Sequence, residues 1–149
     1  MRDSKIAIID YGLGNLRSAQ KALEHAGANV IITREESAVE SADGIVLPGV
    51  GAFRSGMEQL LPLKHIIIEC VEYGKPLLGV CLGMQMLFSE SEEGGFSKGL
   101  DLIKGRVVRF NLDSRLKIPH MGWNRLDIRK KHAFLRGIKN TYVYFVHSY

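Results

Sequence analysis

Four short apolar runs, residues 5–10, 29–33, 44–47 and 76–80, alternate with longer stretches of helical periodicity. Parallel strands need a crossover between them, and the crossover is usually a helix, so this alternation points to a largely parallel sheet with helices on its faces. After the first run, apolar residues recur at Leu16, Ala19, Ala22, Leu23 and Ala26, and Gly27 supplies a stop. Residues 34–43 read as an acidic connection. Residues 57–61 and 62–73 read as helical, with Ile66, Ile67, Cys70 and Val71 as a buried stripe that Gly74-Lys75-Pro76 breaks. Beyond residue 80 a helix pattern runs through Leu82, Met86, Leu87 and Phe88. After Gly94-Gly95 the pieces at 102–110, 123–128 and 141–146 are strand-like and add an antiparallel portion. The expected fold is one three-layer α/β domain over residues 1–149.

Composition narrows the class. A hydrophobic content of 46% with 24% charged residues is that of an ordinary folded domain and excludes a disordered chain. Twenty Lys and Arg against 16 Asp and Glu leave a net charge of only +4, which does not indicate a nucleic-acid partner. The start, Met1-Arg2-Asp3-Ser4-Lys5, leads into four apolar residues before Asp10 interrupts them. That is too short for a signal peptide or a membrane span, so a cytoplasmic protein without membrane contact is expected. The two cysteines, Cys70 and Cys81, form no metal-ligand or disulfide spacing, and each is judged alone.

Cys81 lies in Gly79-Val80-Cys81-Leu82-Gly83, between a buried run and a helix pattern. A G-x-C-x-G pentad in that setting fits a nucleophile elbow, where a sharp strand-to-helix turn lifts the reactive side chain clear of the sheet. Side chains at either flanking position would strike the neighbouring strand or helix, which accounts for both glycines. At a helix N-terminus the thiolate is also favoured by the helix dipole. The alternative is a small buried cysteine at a strand end, the usual fate of a lone cysteine. Cys70, within an apolar helical stripe, is expected to be core.

Pro48-Gly49-Val50-Gly51 also follows a strand and so belongs on the same carboxyl edge as Cys81. It is either an oxyanion loop, with the Val50 and Leu82 N–H groups as donors, or a plain tight turn. Tyr11-Gly12-Leu13-Gly14-Asn15 lacks the third glycine of a dinucleotide-binding turn, because Arg17 stands there. It reads as the turn closing the first βα unit, with Asn15 or Arg17 near the working edge.

Taken together, Asp10-Tyr11-Gly12-Leu13-Gly14-Asn15-Leu16, Leu47-Pro48-Gly49-Val50-Gly51-Ala52-Phe53, Gly79-Val80-Cys81-Leu82-Gly83-Met84-Gln85, Pro119-His120-Met121-Gly122-Trp123-Asn124 and Tyr144-Phe145-Val146-His147-Ser148-Tyr149 resemble the class I glutamine amidotransferases. Within them the likeness is to the glutaminase subunits of imidazole glycerol phosphate synthases, and it spans essentially the whole chain. The resemblance implies the flavodoxin-like fold of that class and the hydrolysis of glutamine by Cys81 through a glutamyl thioester. It also implies oxyanion donors at Val50 and Leu82, and glutamine contacts from Gly51, Gln85, Ser148 and Tyr149. No cofactor or metal is implied. The partner implied is a cyclase subunit that receives the ammonia, with Asn15, His120, Met121 and Trp123 as candidates to face it.

The family draws its catalytic His and Glu from an H-P-E segment that does not occur in these 149 residues, and none of His25, His65, His120, His132 or His147 stands where the base belongs. The chain stops in an aromatic strand, an unusual place for a domain to end, so a sequence incomplete at its C-terminus and weak turnover by these residues alone are expected. Two other classes stay open. One is a related amidotransferase or cysteine hydrolase of another pathway, set apart by its acceptor partner; the basic stretch of Arg125, Arg129, Lys130, Lys131, Arg136 and Lys139 is either a docking face for an acidic partner or, more commonly for such a run, a solvated face. The other is a non-catalytic module that holds glutamine or a partner.

Overall fold

The computed structural model describes residues 4–111, 116–139 and 141–149, so the residues 1–3 used above lie outside it. The chain divides into two compact units, Met1–Val108 and Arg109–Tyr149.

In the first unit, strands β1 (Lys5–Ile9), β2 (Asn29–Thr33), β3 (Gly44–Leu47) and β4 (Leu77–Gly79) form a wholly parallel sheet in the order β2-β1-β3-β4. β1 and β3 occupy the middle, and Ala7, Ile8, Ile9, Ile45, Val46 and Leu47 are all buried, as expected of central strands with little polar content. Helix α1 (Leu16–His25) is opened by Asn15, whose side-chain oxygen accepts the Ser18 N–H at 3.3 Å. Because the four strands run one way, the segments after β1, β3 and β4 emerge at one carboxyl edge, which therefore collects residues 10–15, 48–51 and 80–83.

In the first unit three elements differ from the sequence expectation. The acidic connection contains a short helix, α2 (Glu36–Ser41), whose single buried residue, Val39, is too little to create a periodic stripe. Helix α3 (Phe53–Leu60) begins four residues before residue 57, with Phe53 fully buried, and a 3-10 turn, Leu61–Leu63, separates it from α4 (Lys64–Glu72). Helix α5 (Leu82–Gln85) is a single turn, and Phe88 opens strand β5 (Phe88–Ser91) rather than continuing a helix. The carbonyls of Met86 and Leu87, which a longer helix would use internally, accept instead from Leu100 N at 2.8 Å and Ile103 N at 2.9 Å. Met86 and Leu87 are buried as their spacing suggested, but against strands.

Strand β5 pairs antiparallel with β6 (Ser97–Lys98) and parallel with β7 (Ile103–Val107), giving a small second sheet in the order β6-β5-β7. The second unit is built on an antiparallel pair, β8 (His120–Arg125) and β9 (Tyr142–His147). The expected strand at 123–128 is thus shifted toward the N-terminus by three residues. Among the described residues no helix is long and apolar enough to cross a membrane.

Candidate active site

Cys81 is exposed and has φ 55° and ψ −118°, a left-handed backbone that a residue with a Cβ rarely adopts. Such a conformation costs about 1–3 kcal/mol and persists only where its surroundings enforce it. They do so here through three hydrogen bonds: Val80 N to Leu47 O at 3.0 Å, Gly83 N to Val80 O at 3.0 Å, and Gln85 N to Cys81 O at 3.1 Å. The flanking glycines are required by space. A Cβ on Gly79 would lie 2.5 Å from Met84 Cα, and one on Gly83 would overlap the carbonyl oxygen of Leu47 on β3. The elbow turn is therefore pressed against the end of β3, and the thiol is left outward. A buried structural cysteine at this position is excluded; Cys70, on α4, is the buried one, and burial pushes its thiol pKa up.

A cavity of about 390 Å³ brings Cys81 together with Asn15, Val50, Pro48 and Gly49. Its walls are almost entirely apolar: Val46 and Leu78 from the sheet, and Ala19, Ala22 and Leu23 from α1. The apolar stripe read on α1 thus faces this cavity rather than a filled core, and no residue of α1 is fully buried. Val50 is 52% exposed and Gly51 has φ 93°, so the loop after β3 stands free at its tip. Leu82 is buried, and its N–H is at the first position of α5, where a helix offers no internal acceptor. Gln85 is half-buried on the same turn. Arg17 lies away from the thiol, donating to Gln20 Oε1 at 2.9 Å. A larger cavity of about 510 Å³, lined by Asp43, Cys70 and Lys75 among others, sits at the amino ends of β3 and β4 and holds none of the elbow residues.

Three contributors escaped the sequence reading. Tyr11, 4% exposed, donates its hydroxyl to Pro48 O at 2.7 Å, and burial, then the charge of Cys81, pushes its pKa up to about 12. The Arg34 guanidinium hydrogen-bonds Asp10 Oδ2 at 3.0 Å and holds that carboxyl below its usual range, while Asp10 Oδ1 accepts the Gly12 N–H at 3.1 Å. Glu93 accepts the Phe53 N–H at 2.9 Å and so caps α3 directly after the Val50 loop. The Tyr11–Pro48, Arg34–Asp10 and Glu93–Phe53 bonds each join residues at least 24 apart, and of the contributors Arg34 and Glu93 lay outside every quoted motif. Among the described residues no group of three or more His, Cys, Asp or Glu is placed to hold a metal ion.

In the second unit, Met121, Trp123 and Arg125 share one face of the β8–β9 pair with Val146, Tyr144 and Tyr142, their register partners. Met121 is 60% and Trp123 68% exposed, and Trp123 stacks edge-on against Tyr144 with centroids 5.5 Å apart. His120 projects from the opposite face, so it does not share the surface of Met121 and Trp123. It belongs to a directed chain: Asn124 Nδ2 donates to His120 Nε2 at 2.7 Å, His120 Nδ1 to His147 Nε2 at 3.2 Å, and His147 Nδ1 to Tyr149 O at 2.8 Å. An amide nitrogen at one end and a carbonyl oxygen at the other fit an Nδ1–H on both imidazoles. Ser148, whose carbonyl accepts the Phe110 N–H at 3.0 Å, and Tyr149 follow directly, both half-buried.

The family model for class-I glutamine amidotransferases matches residues 7–149. The chain is 58% identical over 146 residues to the imidazole glycerol phosphate synthase subunit HisH of Methanosarcina acetivorans, covering 97% of this chain and 72% of that protein. It is 50% identical over 153 residues to the subunit of the same name from Halobacterium salinarum, covering 99% and 69%. A solved glutamine amidotransferase structure superimposes with a TM-score of 0.73 at 17% identity, over 95% of this chain and 70% of its own, which supports the fold. With a strained, outward-facing Cys81 at a strand-to-helix turn and a family match that runs from β1 to Tyr149, the chain belongs to the class-I glutamine amidotransferase family.

Proposed function

We propose that this protein is the glutaminase subunit of an imidazole glycerol phosphate synthase in histidine biosynthesis, with Cys81 as its nucleophile. The observation that carries the chemical part is the Cys81 backbone, a strained conformation that three hydrogen bonds and two glycine contacts maintain around an exposed thiol. The pathway rests on the 58% identity to a HisH subunit. Cys81 Sγ adds to the side-chain amide carbon of glutamine, and the carbonyl oxygen becomes an oxyanion. Collapse expels ammonia as its nitrogen gains a proton, leaving a glutamyl thioester that water cleaves to glutamate and free thiol.

Val50 and Leu82 supply the N–H groups for the oxyanion, each worth on the order of 3 kcal/mol when well placed. Gly51 leaves glutamine room to approach the loop and Gln85 helps to hold it, while the likeness of His147-Ser148-Tyr149 to the family segment assigns Ser148 and Tyr149 to its amino-acid end. No histidine lines the cavity of Cys81 among the described residues, so these 149 residues alone are expected to turn over slowly, because each missing proton transfer costs typically a hundredfold or more.

The ammonia goes to a cyclase partner in a cytoplasmic heterodimer. Met121 and Trp123, with Asn15 near the thiol, are the partner-facing residues, and the aromatic face of β8–β9 has the composition of an interface centre. The test is glutamate release by the full-length protein with and without the cyclase. Partner-stimulated release that Cys81→Ala abolishes is expected; release that survives Cys81→Ala would sink the assignment.

A further inference from the structure

We propose that Tyr11 is a positioning residue for the Pro48-Gly49-Val50-Gly51 loop, holding the Val50 N–H where the oxyanion forms; this rests on the glutaminase function proposed above. Tyr11 sits at the end of β1 with its hydroxyl buried and bonded to Pro48 O at 2.7 Å. Pro48 is the first residue of the loop, and its carbonyl belongs to the peptide immediately before the one that carries the Val50 N–H. Fixing one peptide plane limits the next, which matters because the far end of the loop is open. Gly49 and Gly51 carry no side chain to restrict rotation, and a Cβ at Gly51 would meet nothing within 4 Å.

The phenol also crowds the loop. A Cβ on Gly49 would lie 2.5 Å from Tyr11 Oη, 2.8 Å from Gly83 N and 2.9 Å from Leu82 Cβ. Gly49 is therefore packed close to both Tyr11 and the first turn of the elbow helix, which puts the loop of Val50 against the turn of Leu82, the other expected oxyanion donor. Tyr11 is braced in turn, because the adjacent turn is anchored by Gly12 N–H to Asp10, which Arg34 grips. The whole brace lies within the first unit.

Tyr11→Phe removes one oxygen and keeps the ring that fills the site. In the full-length protein with the cyclase present, this variant is expected to lower kcat about tenfold with KM within twofold. Two probes separate positioning from a general disturbance of the elbow. Iodoacetamide alkylates the Cys81 thiol without forming an oxyanion, and its rate is expected to be unchanged. Glutamate γ-semialdehyde accepts the thiol at its aldehyde carbon, placing an oxygen where the oxyanion sits, and its affinity is expected to fall about tenfold. Equal semialdehyde affinity in the variant and wild type would overturn the role of Tyr11 alone, and so would a parallel loss of iodoacetamide reactivity. A wild-type protein that binds no semialdehyde and releases no glutamate would overturn the glutaminase reading, and this inference with it.

Discussion

The elbow and the β8–β9 pair carry the residues of greatest interest in their respective units, yet they are held in opposite ways. Around Cys81 the chain is fixed by close contact: Phe53, Leu47 and Leu82 are essentially inaccessible, and two glycines admit no added carbon. The β8–β9 pair has no buried hydrophobic residue among those described between Arg109 and Tyr149, and it exposes Met121, Trp123, Tyr142, Tyr144 and Val146 on one face. Its internal order comes from strand pairing, a stacked Trp–Tyr pair and the Asn124–His120–His147 chain. Packing of the first kind stores the strain that presents a nucleophile, whereas a pair of the second kind leaves an apolar surface for another molecule to cover.

The contrast breaks first at Gly83. Gly83→Ala forces a methyl onto the Leu47 carbonyl, and a stability loss of at least about 3 kcal/mol in urea unfolding is expected, because backbone rather than a flexible side chain must yield. Tyr11 gives the next largest effect, on the alkaline side. Its folded-state pKa of about 12 lies above the ordinary 10.0, so its contribution is complete below pH 10 and is lost as pH rises toward 12. Roughly 2 to 3 kcal/mol should disappear across that window, and Tyr11→Phe should flatten the decline; an unaltered slope would show that the phenol is not buried as described.

Trp123→Ala probes the other region, and there stability and binding should separate. Folding should change by less than about 0.5 kcal/mol, since the indole is 68% exposed, while affinity for the cyclase, read by titration calorimetry, should fall by about 2 kcal/mol. The smallest effect expected is that of Arg34→Gln. The Asp10 carboxyl lies below its usual range in the fold, so the pair stabilises above the ordinary carboxylate value and its contribution fades as pH falls through the lowered one. With Arg34 67% exposed, solvent screening limits the loss to under about 1 kcal/mol at neutral pH, and variant and wild type should converge in acid. Nitrogen-15 spectra of the imidazoles sharpen the account of the hairpin: both His120 and His147 should show the Nδ1–H tautomer, and an Nε2–H form of either would break the chain drawn here.

What the sequence made legible follows from the range of the interactions. The parallel strands at 29–33 and 44–47 were read at their observed bounds because a β-branched run between breakers is a local signal. The elbow was legible for the same reason, with cysteine, both glycines and the strand before it lying within a few residues. Strand β5 was misread because apolar spacing reports burial without saying what covers the residue, and the Met86 and Leu87 carbonyls found partners in Leu100 and Ile103. The Tyr11–Pro48 and Glu93–Phe53 bonds span 37 and 40 positions, and nothing in either local pattern marks the pairing. His120 was grouped with Met121 and Trp123 because all three lie in one segment that resembles the partner-facing segment of the family; a strand that starts at His120 places the imidazole on the other face by simple alternation.

The most direct test of Cys81 as nucleophile is to mix the protein and the cyclase proposed as its partner with glutamine, quench in acid within the first turnover, and analyse the peptide containing Cys81 by mass spectrometry. A glutamyl group on that peptide, absent from Cys81→Ser and removed by hydroxylamine, is the expected result. Normal glutamate release with no glutamyl adduct at Cys81 at any quench time, or with the adduct on another residue, would contradict it.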